Sequence, residues 1–145
     1  MKNTIQDCIE KLIILSTEIQ EKQKKWLYHG ISAKSFLKEN CTIRIQASRR
    51  SGHSTAIRNL SYKHQGVAVI APNWDIVKRL KDRCHPSTHF ASADPRSLNR
   101  LRCVDTRFVF VDCASILSSK RLEEIQQVCL GFMTGQQPFF LVLVG

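Results

Sequence analysis

The chain reads as an α/β protein, a three-layer sandwich with a mostly parallel sheet of four or five strands, preceded by N-terminal helices. Two observations predict this. From residue 41 onward, short β-rich runs alternate with segments of helical period, and that alternation implies a parallel sheet flanked by helices. Before residue 41 the pattern is helical throughout, so residues 1–40 are expected to form a helical extension and residues 41–145 the α/β domain.

The elements follow in order. Ile5, Cys8, Ile9, Leu12, Ile13 and Ile19 recur at steps of three and four, the stripe of an amphipathic helix from Asn3 to about Lys24 that must pack on something. Trp26, Leu27 and Tyr28 follow, Gly30 reads as a stop, and Ser32 as the cap of a short helix carrying Ala33, Phe36 and Leu37 before Asn40. Strands are expected at Thr42 to Gln46, Val67 to Ala71, Arg107 to Asp112 and Phe139 to Val144, with a minor one at Thr88 to Ala91. Helices are expected from Ser54 to about Lys63, from Trp74 to about Arg83 after an Asn73 cap, from Pro95 to about Arg102 after an Asp94 cap, and from Lys120 to about Phe132.

Composition narrows the function classes. Hydrophobic residues make up 43% and charged residues 23% of the chain, the balance of a folded domain rather than a disordered one. The 22 Lys and Arg against 12 Asp and Glu leave a net charge of +10, which favours a polyanion and makes nucleic acid the first partner to consider. Residues 41–145 carry fifteen of the bases and seven of the acids, so the excess belongs to the α/β part. The six cysteines are widely spaced and several fall on apolar faces, which points to a reducing, cytoplasmic setting. Charge interrupts the N-terminal apolar residues every few positions, so neither a signal peptide nor a membrane span is expected.

The segment Ala47-Ser48-Arg49-Arg50-Ser51-Gly52-His53-Ser54-Thr55 joins a strand to a helix, the context a phosphate-binding loop requires. Such chemistry needs backbone N–H groups wrapped round a phosphate at a helix N-terminus, a cation reaching the β- and γ-phosphates, and a hydroxyl on Mg²⁺. Gly52 allows close backbone approach and Ser54 holds the hydroxyl position. Ala47 stands at the first glycine and His53 at the lysine; Arg49 and Arg50 supply permanent charge that can pair with phosphate in bidentate fashion. Downstream, Phe108-Val109-Phe110-Val111-Asp112 is an apolar strand ending in a carboxylate, as in a Walker B motif that holds Mg²⁺. Cys113 occupies the position at which many such enzymes carry the glutamate that polarises the attacking water, which argues against ordinary hydrolysis.

The run from Ser48 to Thr55 resembles the Walker A loop in the ATPase domain of tailed-phage large terminase subunits, which typically reads Ser-Arg-Gln-x-Gly-Lys-Ser/Thr. Ser48, Arg49, Gly52 and Ser54 match that pattern, while Arg50 replaces Gln and His53 replaces Lys. Over residues 42–145 the layout is similar to terminases and related helicases, with Val67 to Pro72 and Asn73 like the second strand and its loop, Phe108 to Asp112 like Walker B, and Leu141 to Gly145 like the strand before the coupling motif. The resemblance implies a RecA-like fold in which the Leu141 strand lies between the Asp112 strand and the loop strand. It implies ATP and Mg²⁺ as ligands, with Ser48, Arg49, Arg50, Ser51, Gly52, His53, Ser54 and Thr55 around the nucleotide and Asp112 with Ser54 at the metal. It also implies a place in a homo-oligomer or larger phage complex in the host bacterial cytoplasm, where a neighbouring copy could supply a missing catalytic group.

Other residues invite other chemistry. Cys84, His85, His89 and Cys103 are zinc-ligand types, but their spacing fits no standard knuckle or finger, so zinc is not expected. Basic clusters at Lys78, Arg79, Lys81 and Arg83 and at Arg96, Arg100, Arg102 and Arg107 lie near Trp74 and Phe90 in sequence. Arg96 and Arg100 share a helix face, and sequence-independent nucleic-acid binding through Lys78, Arg79, Arg83, Arg96 and Arg100 is the expectation. Cys113 reads as a small residue at a strand end, and Glu123 and Glu124 as helix carboxylates within conceivable reach of the site. The functional expectation is a degenerate P-loop NTPase-like protein of DNA metabolism or packaging that binds ATP and hydrolyses it weakly or not at all. The alternative is a non-enzymatic scaffold on the same fold that binds nucleic acid or protein.

Overall fold

The computed structural model describes residues 3–24, 32–46, 52–133 and 137–145, with the backbone alone for Cys103. Helix α1 (Thr4–Gln23) is followed by a short α2 (Ala33–Phe36), which widens into a π-type turn over Leu37–Cys41 and runs directly into β1 (Thr42–Ile45). Then come α3 (His53–Lys63), β2 (Val67–Ala71), α4 (Trp74–Lys81), β3 (His89–Ser92), α5 (Pro95–Asn99), β4 (Phe108–Val111), α6 (Ser119–Leu130) and β5 (Phe140–Val144). Helix α5 tightens into a 3₁₀ turn, Arg100–Cys103, and a second such turn, Ala114–Ile116, follows β4. The expected caps form: Ser32, Asn73 and Asp94 accept hydrogen bonds from the N–H groups of Ser35, Ile76 and Arg96. The minor strand starts one residue later than the sequence pattern places it, and Trp26 to Gly30, read as an aromatic run and a stop, lie outside the described residues.

The five strands are all parallel and ordered β1-β5-β4-β2-β3. Strand β5 therefore separates β1 from β4, as the RecA-like reading requires. Alternation along each strand divides the side chains between two layers. Val67, Val69, Phe108, Phe110, Phe140 and Val142 face α1, α3 and α4. On the other face, Ala68, Ile70, Val109, Val111, Leu141 and Leu143 meet the buried residues of α2, α5 and α6. The three central strands are buried at every position, as expected of a sheet covered on both faces.

Helix α1 belongs to one of these layers. Its Ile5, Ile9 and Ile13 join the core with Ile43, Ile57 and Phe140. At its C-terminal half Gln20, 6% exposed, donates through Nε2 to the carbonyl of Phe139 (2.8 Å) and accepts through Oε1 from the N–H of Phe139 (3.2 Å). Ser16 donates to the carbonyl of Asn40. A buried amide that satisfies two backbone groups fixes the helix against the sheet, because losing either bond would strand a desolvated polar atom.

Candidate functional site

In a parallel sheet every strand ends on the same edge, and loops at that edge gather residues distant in sequence. Helix α3 begins there. Its N-cap, Gly52, lies in the left-handed region at φ 88°, which glycine adopts without steric cost. The Gly52 carbonyl accepts from the N–H of Ala56 (2.9 Å) and from Nδ2 of Asn3 (3.1 Å). A Cβ at Gly52 would stand 2.7 Å from that Asn3 nitrogen. Oδ1 of Asn3 meanwhile accepts from the N–H of Gln6 (3.0 Å) and caps α1. One side-chain amide thus ties together the starts of two helices, a role that sequence reasoning missed. An asparagine before an amphipathic stripe marks a cap, but nothing in the sequence signals its second bond.

Asp112 follows β4 and is 3% exposed. Its N–H pairs with the carbonyl of Ile70 (2.8 Å), which continues the ladder and holds the residue at the sheet edge. The carboxylate accepts from the backbone N–H of Cys113 (2.9 Å) and from the Cys113 thiol. Burial pushes the carboxyl pKa above its ordinary value, while these two bonds and the nearby His53 pull in the opposite direction. Cys113 itself takes φ 53°, the one positive φ at a non-glycine position among the described residues. It is therefore more than the small strand-end residue expected from sequence: it turns the chain sharply and clasps Asp112.

Gly145 completes the constellation. Its N–H donates to the carbonyl of Ile45 (2.9 Å) and its carbonyl accepts from the N–H of Ser115 (3.1 Å). A Cβ there would meet Cys113 Cα at 3.4 Å and His53 Nδ1 at 3.7 Å. His53, Asp112, Cys113 and Gly145 thus converge at the ends of β1, β5 and β4. Nε2 of His53 is buried without a hydrogen-bond partner. The arrangement sets the positive end of an eleven-residue helix and an imidazole against one buried carboxylate, a combination suited to an anion together with a cation.

The other predicted residues divide. Ser48, Arg49, Arg50 and Ser51 lie outside the described residues. Ser54 and Thr55 are exposed on the first turn of α3, and His53 opens the helix one residue earlier than expected. Lys78 and Arg79 are exposed on α4, and Arg83 is exposed in the turn after it. Arg96 and Arg100 line a cleft of about 410 Å³ with Trp74, Ser92, Asp94 and Ser97. Phe90, grouped with Trp74 by sequence, instead packs partly buried against the core under α4. Glu124 is engaged by Arg121 at 3.0 Å on its own helix.

Of the zinc-type residues, Cys84, His85 and His89 are described with their side chains. Cys84 is buried beneath α4, with its thiol pKa pushed up chiefly by burial, and His85 meets Ser87 at 2.8 Å. His89 opens β3 and lines one cleft with His85. Among the described residues no group of three or more His, Cys, Asp or Glu could hold a metal ion, and no helix is long and apolar enough to cross a membrane. No protein-family model matches the chain, and no curated protein is significantly similar to it.

Proposed function

We propose that the edge formed by α3, β4 and β5 binds a magnesium nucleotide, ATP in the first instance, as a degenerate P-loop with weak or absent hydrolysis, within a phage-type machine of DNA metabolism. The observation that carries this reading is the approach of the α3 N-terminus to Asp112 across the end of β5, with His53 between them. Backbone N–H groups of the first α3 turn would receive phosphate oxygens, assisted by the helix dipole. Asp112 would hold the cation directly or through water, and the cation supplies charge neutralisation at the phosphates. His53 occupies the sequence position of the P-loop lysine and would face the phosphates. With Cys113 next to Asp112, that position offers no carboxylate to polarise a water, so binding without turnover is the expectation.

Calorimetric titration of ATP with Mg²⁺ tests this reading. Binding in the micromolar range that Asp112→Asn abolishes and His53→Lys tightens would support it. An absence of heat at millimolar nucleotide would sink it. The scaffold reading draws on the departures at the same edge, His53 at the position of the lysine and Cys113 beside Asp112. It predicts that wild type and Asp112→Asn respond identically to Mg²⁺ and ATP.

A further inference from the structure

Two aromatic side chains stand out on the surface: Tyr62 is 59% and Trp74 40% exposed, although burying such rings is strongly favourable. Each lies in a cleft with two arginines. Tyr62 lines a groove of about 550 Å³ between α1 and α3 with Arg58, Arg83, Gln6, Asn59 and Lys63. Trp74 shares the cleft at the tip of β3 with Arg96 and Arg100. The coincidence of an unburied ring and permanent cations at both places calls for a ligand with flat faces and repeated negative charge.

The ground between the two clefts is basic as well. Helix α4 starts at Trp74 and leads to Arg83, and along it Lys78, Arg79 and Lys81 are exposed while Val77 and Leu80 face the core. Helices α3 and α4 cover the same face of the sheet, so Tyr62 and the outer side of α4 belong to one flank. The acids on this path are Asp75 on α4, Asp82 at its C-cap and Asp94 at the N-cap of α5. Lys63 is already paired with Glu10 at 2.8 Å, which leaves Arg58 and Arg83 as the main cations beside Tyr62. Arg58 is held in place, its Nε and Nη2 both donating to Asn59 Oδ1 at 3.3 and 3.2 Å. At about 1.5 Å per residue α4 is roughly 12 Å long, enough for about three or four nucleotides at the stacked rise of ~3.4 Å.

We infer that this flank binds single-stranded nucleic acid, with a base stacked on Tyr62 at one end, a base stacked on Trp74 at the other, and the intervening phosphates along α4. A duplex is a poor fit, because bases paired within a helix cannot offer their faces to side chains on a protein surface. Stacking on a ring is tolerant of base identity, so the surface is sequence-independent. The inference is independent of the nucleotide site: it uses none of that site's residues and needs no ATP.

Fluorescence anisotropy with labelled twelve-nucleotide oligo-dT and oligo-U, and with a mixed-sequence duplex of the same length, tests it without added nucleotide. Single strands should bind better than the duplex, and affinity should fall steeply with salt. Tyr62→Ala and Trp74→Ala should each weaken single-strand binding roughly tenfold, Tyr62→Phe should restore it, and Lys120→Ala on α6 should leave it unchanged. Tyr62 meets His85 edge-on at 5.2 Å and Trp74 is more than half buried, so each variant is assayed well below its own unfolding midpoint. Undetectable binding would overturn the inference, as would a duplex preference or equal affinity in the alanine variants and wild type; the last outcome would reduce the flank to a diffuse basic surface.

Discussion

Helix α3 begins at one histidine and is capped by another, and the two sit in contrasting surroundings. Both bury Nε2 without a partner. His53, at the C-terminal edge of the sheet, stands near a desolvated carboxylate and a residue in left-handed conformation. His64, at the opposite edge, stacks on Phe108 at 4.4 Å between ring centres, and Phe108 in turn stacks on Phe140 at 4.9 Å. Burial pushes the His64 pKa down; Glu10 opposes the shift, and Lys63 and Arg107 add to it. One end of the helix is consolidated by stacked rings, while the other holds a desolvated carboxylate and a non-glycine residue in left-handed conformation. Costs of that kind concentrate at sites kept for binding.

The largest expected effect tests the consolidated end. Phe108→Ala removes a buried ring that contacts both His64 and Phe140, and should lower stability by about 3–5 kcal/mol, measured by urea unfolding. A loss below ~1 kcal/mol would show that this end contributes little and would break the contrast.

Two glycines sharpen it. Gly52 precedes α3 at φ 88° and Gly66 follows it at φ 71°, where a Cβ would come within 3.2 Å of the Arg107 nitrogen. Replacing either by alanine should cost roughly 1–2 kcal/mol, the penalty for an L-residue in left-handed conformation. Only Gly52→Ala should also weaken Mg·ATP binding in calorimetry. Equal effects of both variants on binding would mean that the two ends are functionally equivalent.

Asp112→Asn should move stability the other way. Because the folded-state pKa is raised, the ionised carboxylate costs stability as pH climbs above the ordinary carboxylate range. The amide should therefore gain about 0.5–2 kcal/mol at pH 7 and lose that advantage on acidification, while abolishing nucleotide binding. Thermal melts of both proteins between about pH 4 and pH 7 would read this out; a less stable variant at neutral pH would contradict a stability cost at the carboxylate.

The smallest effect belongs to His64. Its lowered pKa favours the neutral form in the fold, so its contribution is full above the ordinary histidine value near 6.5 and is lost as pH falls below it. His64→Phe should keep the stack and flatten the drop in melting temperature between about pH 7 and pH 5. An unchanged slope would assign the acid sensitivity to other histidines.

What the sequence determined by itself was the order and type of the elements. Caps at Ser32, Asn73 and Asp94, the isoleucine stripe of α1 and the apolar runs ending at Asp112 and Val144 are local signals, since capping and periodicity act over a few residues. The helix start after Gly52 and the apolar strand that ends at Asp112 were legible for the same reason, and the strand order with β5 between β1 and β4 agrees with what the resemblance implied. Tertiary structure alone decided what meets what. That Asn3 reaches Gly52, that Gly145 packs against Cys113 and His53, that Gln20 serves Phe139 and that Tyr62 and Arg83 line one groove are relations between elements. They depend on how the two helical layers settle on a parallel sheet, and no short-range pattern in the sequence encodes that packing.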